Sequence, residues 1–411
     1  RVPVPPSEQL HGHTDHIALE AHGLEITRRM YQRMFANEAI RDLFNQSHHG
    51  ETGSQPKALA SAILAYAQNI ERLDVLGPAV ERIAQKHAGL QILPEHYPAV
   101  AESLLGAIKD ILGDAATGEV LAAWGEAYWF LANILIGREK QIYDTTAATP
   151  GGWTGWRDFV VASKQRESDI ITSFVLRPRD GGPVIRHRPG QYLTFWLEVP
   201  GHHPPGHHSL KRNYSISSAP DDRTYRISVK REPGGVVSNW LHDTVEPGVI
   251  LKAAPPAGEF FLPENPERPV VLISGGVGLT PMVSMLEAAV RAGRDFPIQH
   301  IHGTLNGATH ARALTASDSG TTTFYAMPRE EDRAGHDYDH AGFIGIDWLR
   351  QNTPLAEADY STALGSSSSA YGVGSTAVGS GATACRSTPT ASTTCPLSSC
   401  SSTAPARRRK R

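Results

Sequence analysis

Residues 80–90 read VERIAQKHAGL, and Val80, Ile83, Ala84 and His87 fall at i, i+3, i+4 and i+7. That spacing stacks them on one helical face, so an apolar stripe ends in an imidazole. A neutral imidazole so placed suits the axial position of a pentacoordinate haem. The chain holds 19 histidines, and one beside an apolar stripe is equally at home as a packed or surface side chain. Its surroundings decide between these. From about residue 20 to 143 apolar residues recur at three and four, as in Trp124, Tyr128, Leu131 and Leu135, so the whole stretch reads as helical.

Pro150-Gly151-Gly152 ends that pattern. Short β-rich runs follow at 159–161, 170–176, 192–199, 214–217, 225–229 and 249–252, separated by turn-formers as an antiparallel barrel requires. After Pro269 comes an apolar strand at 270–273, then glycines, then an amphipathic helix from Pro281, the opening of a parallel βαβ unit. Beyond 360 the text turns to Ala, Gly, Ser and Thr, which cannot bury enough surface to order a chain, so 361–411 is expected to be disordered. The first nineteen residues are likewise read as non-helical.

A chain of 411 residues implies two or three domains. An apolar fraction of 40% and a net charge of -3 describe a soluble globular protein and give no sign of nucleic-acid binding. The basic run at 407–411 reads as a solvated tail. No signal peptide and no apolar stretch of the ~18 residues a membrane span needs are read. All three cysteines, Cys385, Cys395 and Cys400, lie near the end. The first 384 residues therefore have neither disulfide nor thiol nucleophile, which fits a reducing cytoplasm.

Within the helical region, Tyr31 lies in MYQRMF, Gln55 and Leu59 in SQPKAL, His87 in AQKHAG, Tyr97 in PEHYP and Glu139 in GREKQIY. Together and in this order they resemble the globin domain of flavohaemoglobins. The resemblance implies haem b with His87 as proximal iron ligand, and Tyr31, Gln55 and Leu59 in the distal pocket. Gln55, Leu59 and Ala62 sit at i, i+4 and i+7, so one helix face can present all three. The phenol of Tyr31 would donate to bound dioxygen. Tyr97 and Glu139 would hydrogen-bond with the proximal imidazole, the carboxylate raising its basicity. Lys86 would influence haem potential. Taken singly, each has a plainer reading: packing for Tyr31, Leu59 and Tyr97, a solvated helix end for Glu139, a surface lysine for Lys86. A structural helical domain, however, has no reason to keep the whole set.

Arg212-Asn213-Tyr214-Ser215 follows the R-x-Y-S pattern of ferredoxin-reductase-like flavin domains. Arginine can fork two hydrogen bonds to a phosphate, a tyrosine ring can lie on the isoalloxazine, and a serine hydroxyl can reach the flavin. Upstream, Pro189-Gly190-Gln191-Tyr192 matches the family's PGQY, which places Tyr192 at the flavin. Downstream, KREPGGVVSNWLH at 230–242 resembles its diphosphate loop. There Gly235 and Val237 would offer backbone N–H groups and Ser238 would cap the following helix. The expected cofactor is FAD.

Ser274-Gly275-Gly276-Val277-Gly278-Leu279-Thr280-Pro281-Met282 departs from G-x-G-x-x-G but matches the GGVGLTPM turn of flavohaemoglobin reductase modules. As a glycine-rich turn from strand to helix, it can cradle the phosphates of NAD(P)H. The family's C-G-P-x-x-F-M and E-x-F-G-P segments are absent, which bears on hydride delivery more than on haem or flavin.

The expected fold is therefore multidomain: an all-α globin domain (1–147), an antiparallel β-barrel FAD domain (153–264), an α/β NAD(P)-binding domain (265–360) and a low-complexity tail (361–411). The expected activity is that of a cytoplasmic nitric oxide dioxygenase, with NO, O2 and NAD(P)H as its small-molecule partners. Two rivals stay open: an oxygen-binding or sensing globin with a non-functional reductase half, and a flavin-dependent reductase.

Overall fold

In the computed structural model, described residues are 13–41, 43, 77–201, 209–262, 266, 268–293, 297–315 and 320–354, with four strands between 360 and 385. The first region is helical: α1 (His13–Phe35), α2 (Glu38–Arg41), α3 (Gly77–Leu90), α4 (Tyr97–Leu112) and α5 (Gly118–Ala148). Thr117 caps α5 by accepting the Val120 N–H at 3.3 Å. The stripe on α5 divides its work. Trp124 and Tyr128 pack toward Ile26, Met30 and Leu104, while Leu131 and Leu135 pack toward Ala84, Ile92 and Tyr97.

Two expectations about this region need correction. Residues 13–19 were expected to be non-helical, yet α1 begins at His13; once Ile26, Met30 and Met34 anchor the helix in the core, extending it costs little because nucleation is already done. No stretch was expected to be long enough for a membrane span, yet α5, by length and composition, is. One of its faces packs against α1, α3 and α4, with Ala127, Ala132, Leu135 and Glu139 buried.

Six antiparallel strands follow: β1 (Arg157–Arg166), β2 (Ile171–Pro178), β3 (Tyr192–Leu197), β4 (Leu210–Ser215), β5 (Tyr225–Lys230) and β6 (Ile250–Ala253), with α6 (Val236–Asp243) after β5. Their order is β4-β3-β6-β1-β2-β5, and an Ile216–Ile227 bridge brings the two edges together, closing the barrel. Strand β4 starts at Leu210 rather than at 214 because Leu210 to Ser215 pair along the whole of β3. Phe159, Phe174, Leu193, Phe195, Tyr225 and Ile227 fill the interior.

The third region contains β7 (Val270–Gly275), α7 (Leu279–Arg291), β8 (Ile298–Thr304), α8 (Arg312–Thr315), β9 (Thr321–Tyr325), β10 (His340–Ala341), α9 (Ile346–Asn352), β11 (Tyr360–Leu364), β12 (Ser369–Tyr371), β13 (Thr376–Val378) and β14 (Thr383–Cys385). Its parallel sheet has the order β10-β9-β8-β7-β11-β13, and β12 and β14 form a separate two-stranded sheet. Disorder from 361 onward was expected. Instead β11 lies parallel to β7, from Tyr360 opposite Val270 to Leu364 opposite Ser274, β13 pairs with β11, and β12 with β14. Parallel pairing is satisfied by backbone groups alone, so a chain without apolar periodicity can still enter a ladder beside β7. Residues 386–411 lie outside the described residues.

Candidate functional site

His87 occupies the last turn of α3. Its Nδ1 lies 2.7 Å from Glu139 Oε1 and 3.2 Å from the Tyr97 hydroxyl, and that hydroxyl donates to the same Glu139 oxygen at 2.6 Å. Three helices meet here, since Tyr97 opens α4 and Glu139 lies on α5. The side chain of Glu139 is 2% exposed, which fixes its role. A carboxylate so buried needs donors, and the Nδ1–H of His87 together with the Tyr97 hydroxyl supplies them. Burial, reinforced by Glu139, pushes the Tyr97 phenol well above its ordinary range, so it stays protonated and donating. With Nδ1 engaged, Nε2 is the nitrogen left to bind a metal, as the second shell of a haem ligand requires. The residues present therefore fit a haem at this position.

Tyr31 packs on the helical core near Ile26 and Met30, with its ring 5.4 Å from Phe35. Burial raises its phenol to about 12, so it too remains a donor at neutral pH. Lys86 is exposed. Gln55 and Leu59 lie outside the described residues.

In the barrel, Tyr192 on β3 stands opposite Ser215 on β4, and Phe195 opposite Arg212. Strand alternation therefore puts Arg212 and Tyr214 on one face, with Asn213 and Ser215 on the other. Arg212 is half-buried, and Nη1 donates to the Lys211 carbonyl at 2.7 Å. Burial lowers the pKa of its guanidinium and lifts the Tyr214 phenol to about 12. Asn213 is exposed.

The loop at 230–242, expected to hold the diphosphate, differs from expectation in one respect. Helix α6 begins at Val236 with Gly235 as its N-cap, so Ser238 sits inside the first turn. Its hydroxyl instead accepts the Glu232 N–H at 3.1 Å and holds the loop closed. The helix starts early because Gly234, at φ +72, already makes the turn. Val237 is 1% exposed and packed in the barrel core, so only its backbone can face a phosphate.

The glycine-rich turn follows β7 as expected. Gly275 ends the strand, Gly276, Val277 and Gly278 form a single 3-10 turn with Gly276 at φ +53, and α7 starts at Leu279. Pro281 is the third residue of that helix, where it breaks no hydrogen bond. Thr280 donates to the Val277 carbonyl at 3.0 Å. Leu279 is fully buried with Ile171, Val283, Ala311 and Leu314, and so locks the third region to the barrel.

Sequence reasoning missed the contacts between regions. Gln85 Oε1 on α3 accepts the Gly258 N–H at 3.2 Å, and Gln91 Oε1 accepts the Gly155 N–H at 2.9 Å. Gly89, two residues past His87, is so close to the barrel that a Cβ there would lie 3.0 Å from Thr194 Oγ1 and 3.4 Å from the Tyr192 ring. It also missed a buried polar cluster under the glycine-rich turn. There the Ser274 hydroxyl lies 2.9 Å from His300 Nε2 and 2.8 Å from His302 Nδ1. The alternation in IQHIH, at 298–302, does put both imidazoles on one strand face.

A helical domain with a carboxylate-supported histidine, joined to a flavin-type barrel and a parallel nucleotide-binding sheet, defines an oxidoreductase that uses haem, FAD and NAD(P)H. A globin model matches residues 28–135, and an oxidoreductase FAD-binding domain model matches 158–262. The chain is 53% identical over 349 residues to a flavohemoprotein of Xylella fastidiosa, covering 83% of this chain and 85% of that one. It is 44% identical over 355 residues to a flavohemoprotein of Rhizobium meliloti, with 83% and 87% covered. A solved flavohemoglobin from Malassezia yamatoensis, with bound FAD and heme, shares the fold over 86% of this chain and 90% of that one, with a TM-score of 0.71 at 23% identity. The chain belongs to the flavohemoprotein family.

Proposed function

We propose that the chain is a cytoplasmic nitric oxide dioxygenase, with the domain limits given above. The overall reaction balances as two NO, two O2 and one NAD(P)H giving two nitrate, NAD(P)+ and one proton. Bound FAD would supply the conversion of a two-electron hydride into single electrons, and haem bound at His87 would supply the site of oxygen chemistry. The observation that carries this reading is the contact of Glu139 with His87 Nδ1. A carboxylate at that nitrogen makes the imidazole a stronger electron donor, which favours activation of oxygen over its simple storage.

The chain's own residues divide the remaining work. His87 would hold the iron through Nε2, with Glu139 and Tyr97 fixing its tautomer at Nδ1. Tyr31 would donate a hydrogen bond on the distal side and Lys86 would tune the potential; Gln55 and Leu59, the other distal residues the family resemblance implies, lie outside the described residues. Arg212 and the backbone N–H groups of Gly235, Val237 and Ser238 hold the FAD diphosphate. Tyr192, Tyr214, Asn213 and Ser215 position the flavin ring system. The turn from Gly275 through Gly276, Val277, Gly278 and Leu279 to Thr280 receives the NAD(P)H phosphates.

One specific observation favours a second reading, an oxygen-binding globin with a non-functional reductase half. Strand β11 lies beside β7 but carries YSTAL in place of a C-G-P-x-x-F-M segment. The deciding experiment adds NO to the aerobic holoprotein with NADH or NADPH and measures nitrate. Nitrate equal to the NO consumed supports the dioxygenase; oxygen binding without NO turnover supports the second reading.

A further inference from the structure

The helix that carries His87 ends in an unusual way. Among described residues, Gln91 is the only non-glycine residue with positive φ, at +60. It follows the last residue of α3, with its N–H bonded to the Ala88 carbonyl at 3.1 Å and the Ile92 N–H bonded to the His87 carbonyl at 3.0 Å. That double hydrogen bond is a Schellman termination, and its left-handed position is one where glycine is cheapest and a residue with a Cβ is disfavoured. A strained residue persists when its surroundings over-determine it.

Here the side chain supplies the determination. Gln91 Nε2 donates to the Ala88 carbonyl at 2.7 Å, and Gln91 Oε1 accepts the N–H of Gly155 at 2.9 Å. Gly155 lies in the segment between α5 and β1, which Trp153 seats on the barrel by donating to the Ala253 carbonyl at 3.3 Å. One amide side chain thus bridges the turn after the axial histidine and the entry to the flavin barrel. Further back on α3, Gln85 reaches Gly258, and Arg82 reaches Glu259 at 2.9 Å. The exposed ion pair contributes little. The two glutamine bridges are the directional ties.

We propose that Gln91 is a positioning residue for electron transfer: it holds the His87 helix in fixed register against the barrel, so that one electron at a time can leave reduced flavin and convert ferric haem iron to ferrous. This rests on the proposed function, because it presupposes flavin-to-haem transfer. Tunnelling between groups held by separate domains is sensitive to small displacements, and a 1 Å error of position can cost a catalytic step a hundredfold.

The test is Gln91→Gly in the full holoprotein. Glycine suits the left-handed site, so the helix still terminates and the variant folds. Haem content, flavin content and the rate of flavin reduction by NADH stay unchanged, while anaerobic haem reduction slows at least tenfold. Independently of turnover, hydrogen exchange at the Gly155 amide speeds up. Gln91→Glu, which keeps an acceptor for Gly155, recovers Gly155 protection and part of the rate. Unchanged haem reduction in Gln91→Gly, or unchanged protection at Gly155, overturns the proposal. If the unaltered chain reduces flavin but never haem, the dioxygenase reading itself fails, and the positioning role with it.

Discussion

The carboxylate of Glu139 reaches Nδ1 of His87 at 2.7 Å across 52 residues of sequence, with almost no access to water. Its second oxygen, Oε2, is buried without a hydrogen-bond partner. The full strength of the acceptor is therefore concentrated on the oxygen shared by His87 and Tyr97. Replacing Glu139 by Gln keeps the shape and removes the charge. Haem binding persists, the iron–histidine stretching frequency falls, and NO turnover drops about ten- to a hundredfold, the usual cost of losing such a partner. Resonance Raman spectra of the reduced protein and nitrate yields check this. His87→Ala abolishes the haem absorption altogether; a retained pentacoordinate spectrum would refute the ligand.

With its phenol held up near 12 by burial, Tyr31 is neutral and donating throughout pH 6–10. The oxygen dissociation rate should be flat across that range. Tyr31→Phe removes a hydrogen bond worth about 1.4 kcal/mol, so dissociation should speed up about tenfold. Flash photolysis measures both, and an unchanged off-rate removes Tyr31 from the distal side.

For the flavin site, Arg212→Ala should lower FAD occupancy. Its half-buried guanidinium lies on the same strand face as Tyr214, and a diphosphate there loses a charge-assisted pair of hydrogen bonds worth about 1.5–3 kcal/mol. Ser215→Ala should leave occupancy closer to normal while slowing flavin reduction. Flavin-to-protein ratio after gel filtration distinguishes the two, and full occupancy with unaltered reduction in both variants counts against the site.

His187 offers a pH test of stability. Burial lowers it to about 4, and its Nε2 lies 3.1 Å from both the Ser218 carbonyl and Ser284 Oγ, tying the barrel to α7. The folded state keeps this imidazole neutral, whereas the unfolded chain protonates it near 6.5. As pH falls from 6.5 toward 4 the unfolded state takes up the proton first, so stability declines through that window, by about 3 kcal/mol at most, and the contribution levels off below it. Urea midpoints measured between pH 7 and 4 should fall less steeply in His187→Gln; an identical slope would show that other groups set the acid sensitivity.

The regularities of local structure were legible in the text. The three-and-four stripe from Trp124 to Leu135 is the face along which α5 packs on its neighbours, and Tyr192 opens the run read at 192–199 and found as β3. What the text hid depends on chain neighbours far away. Ser238 was expected to cap α6, but where that helix starts depends on the positive φ of Gly234. Gln91 takes a left-handed backbone held by Gly155, 64 residues later, and Gln85 finds Gly258 173 residues on. Strand β11 lacks any apolar rhythm, and what places it is the ladder offered by β7.

The close seat of Gly89 on the barrel makes residue 89 a compatibility lock for modular engineering. A globin grafted from another source onto this reductase would have to bring a residue without a side chain there, or a smaller partner for Thr194. Otherwise Thr194 or the graft would have to give by a few tenths of an ångström, and the two halves, each individually sound, would meet in a shifted seat.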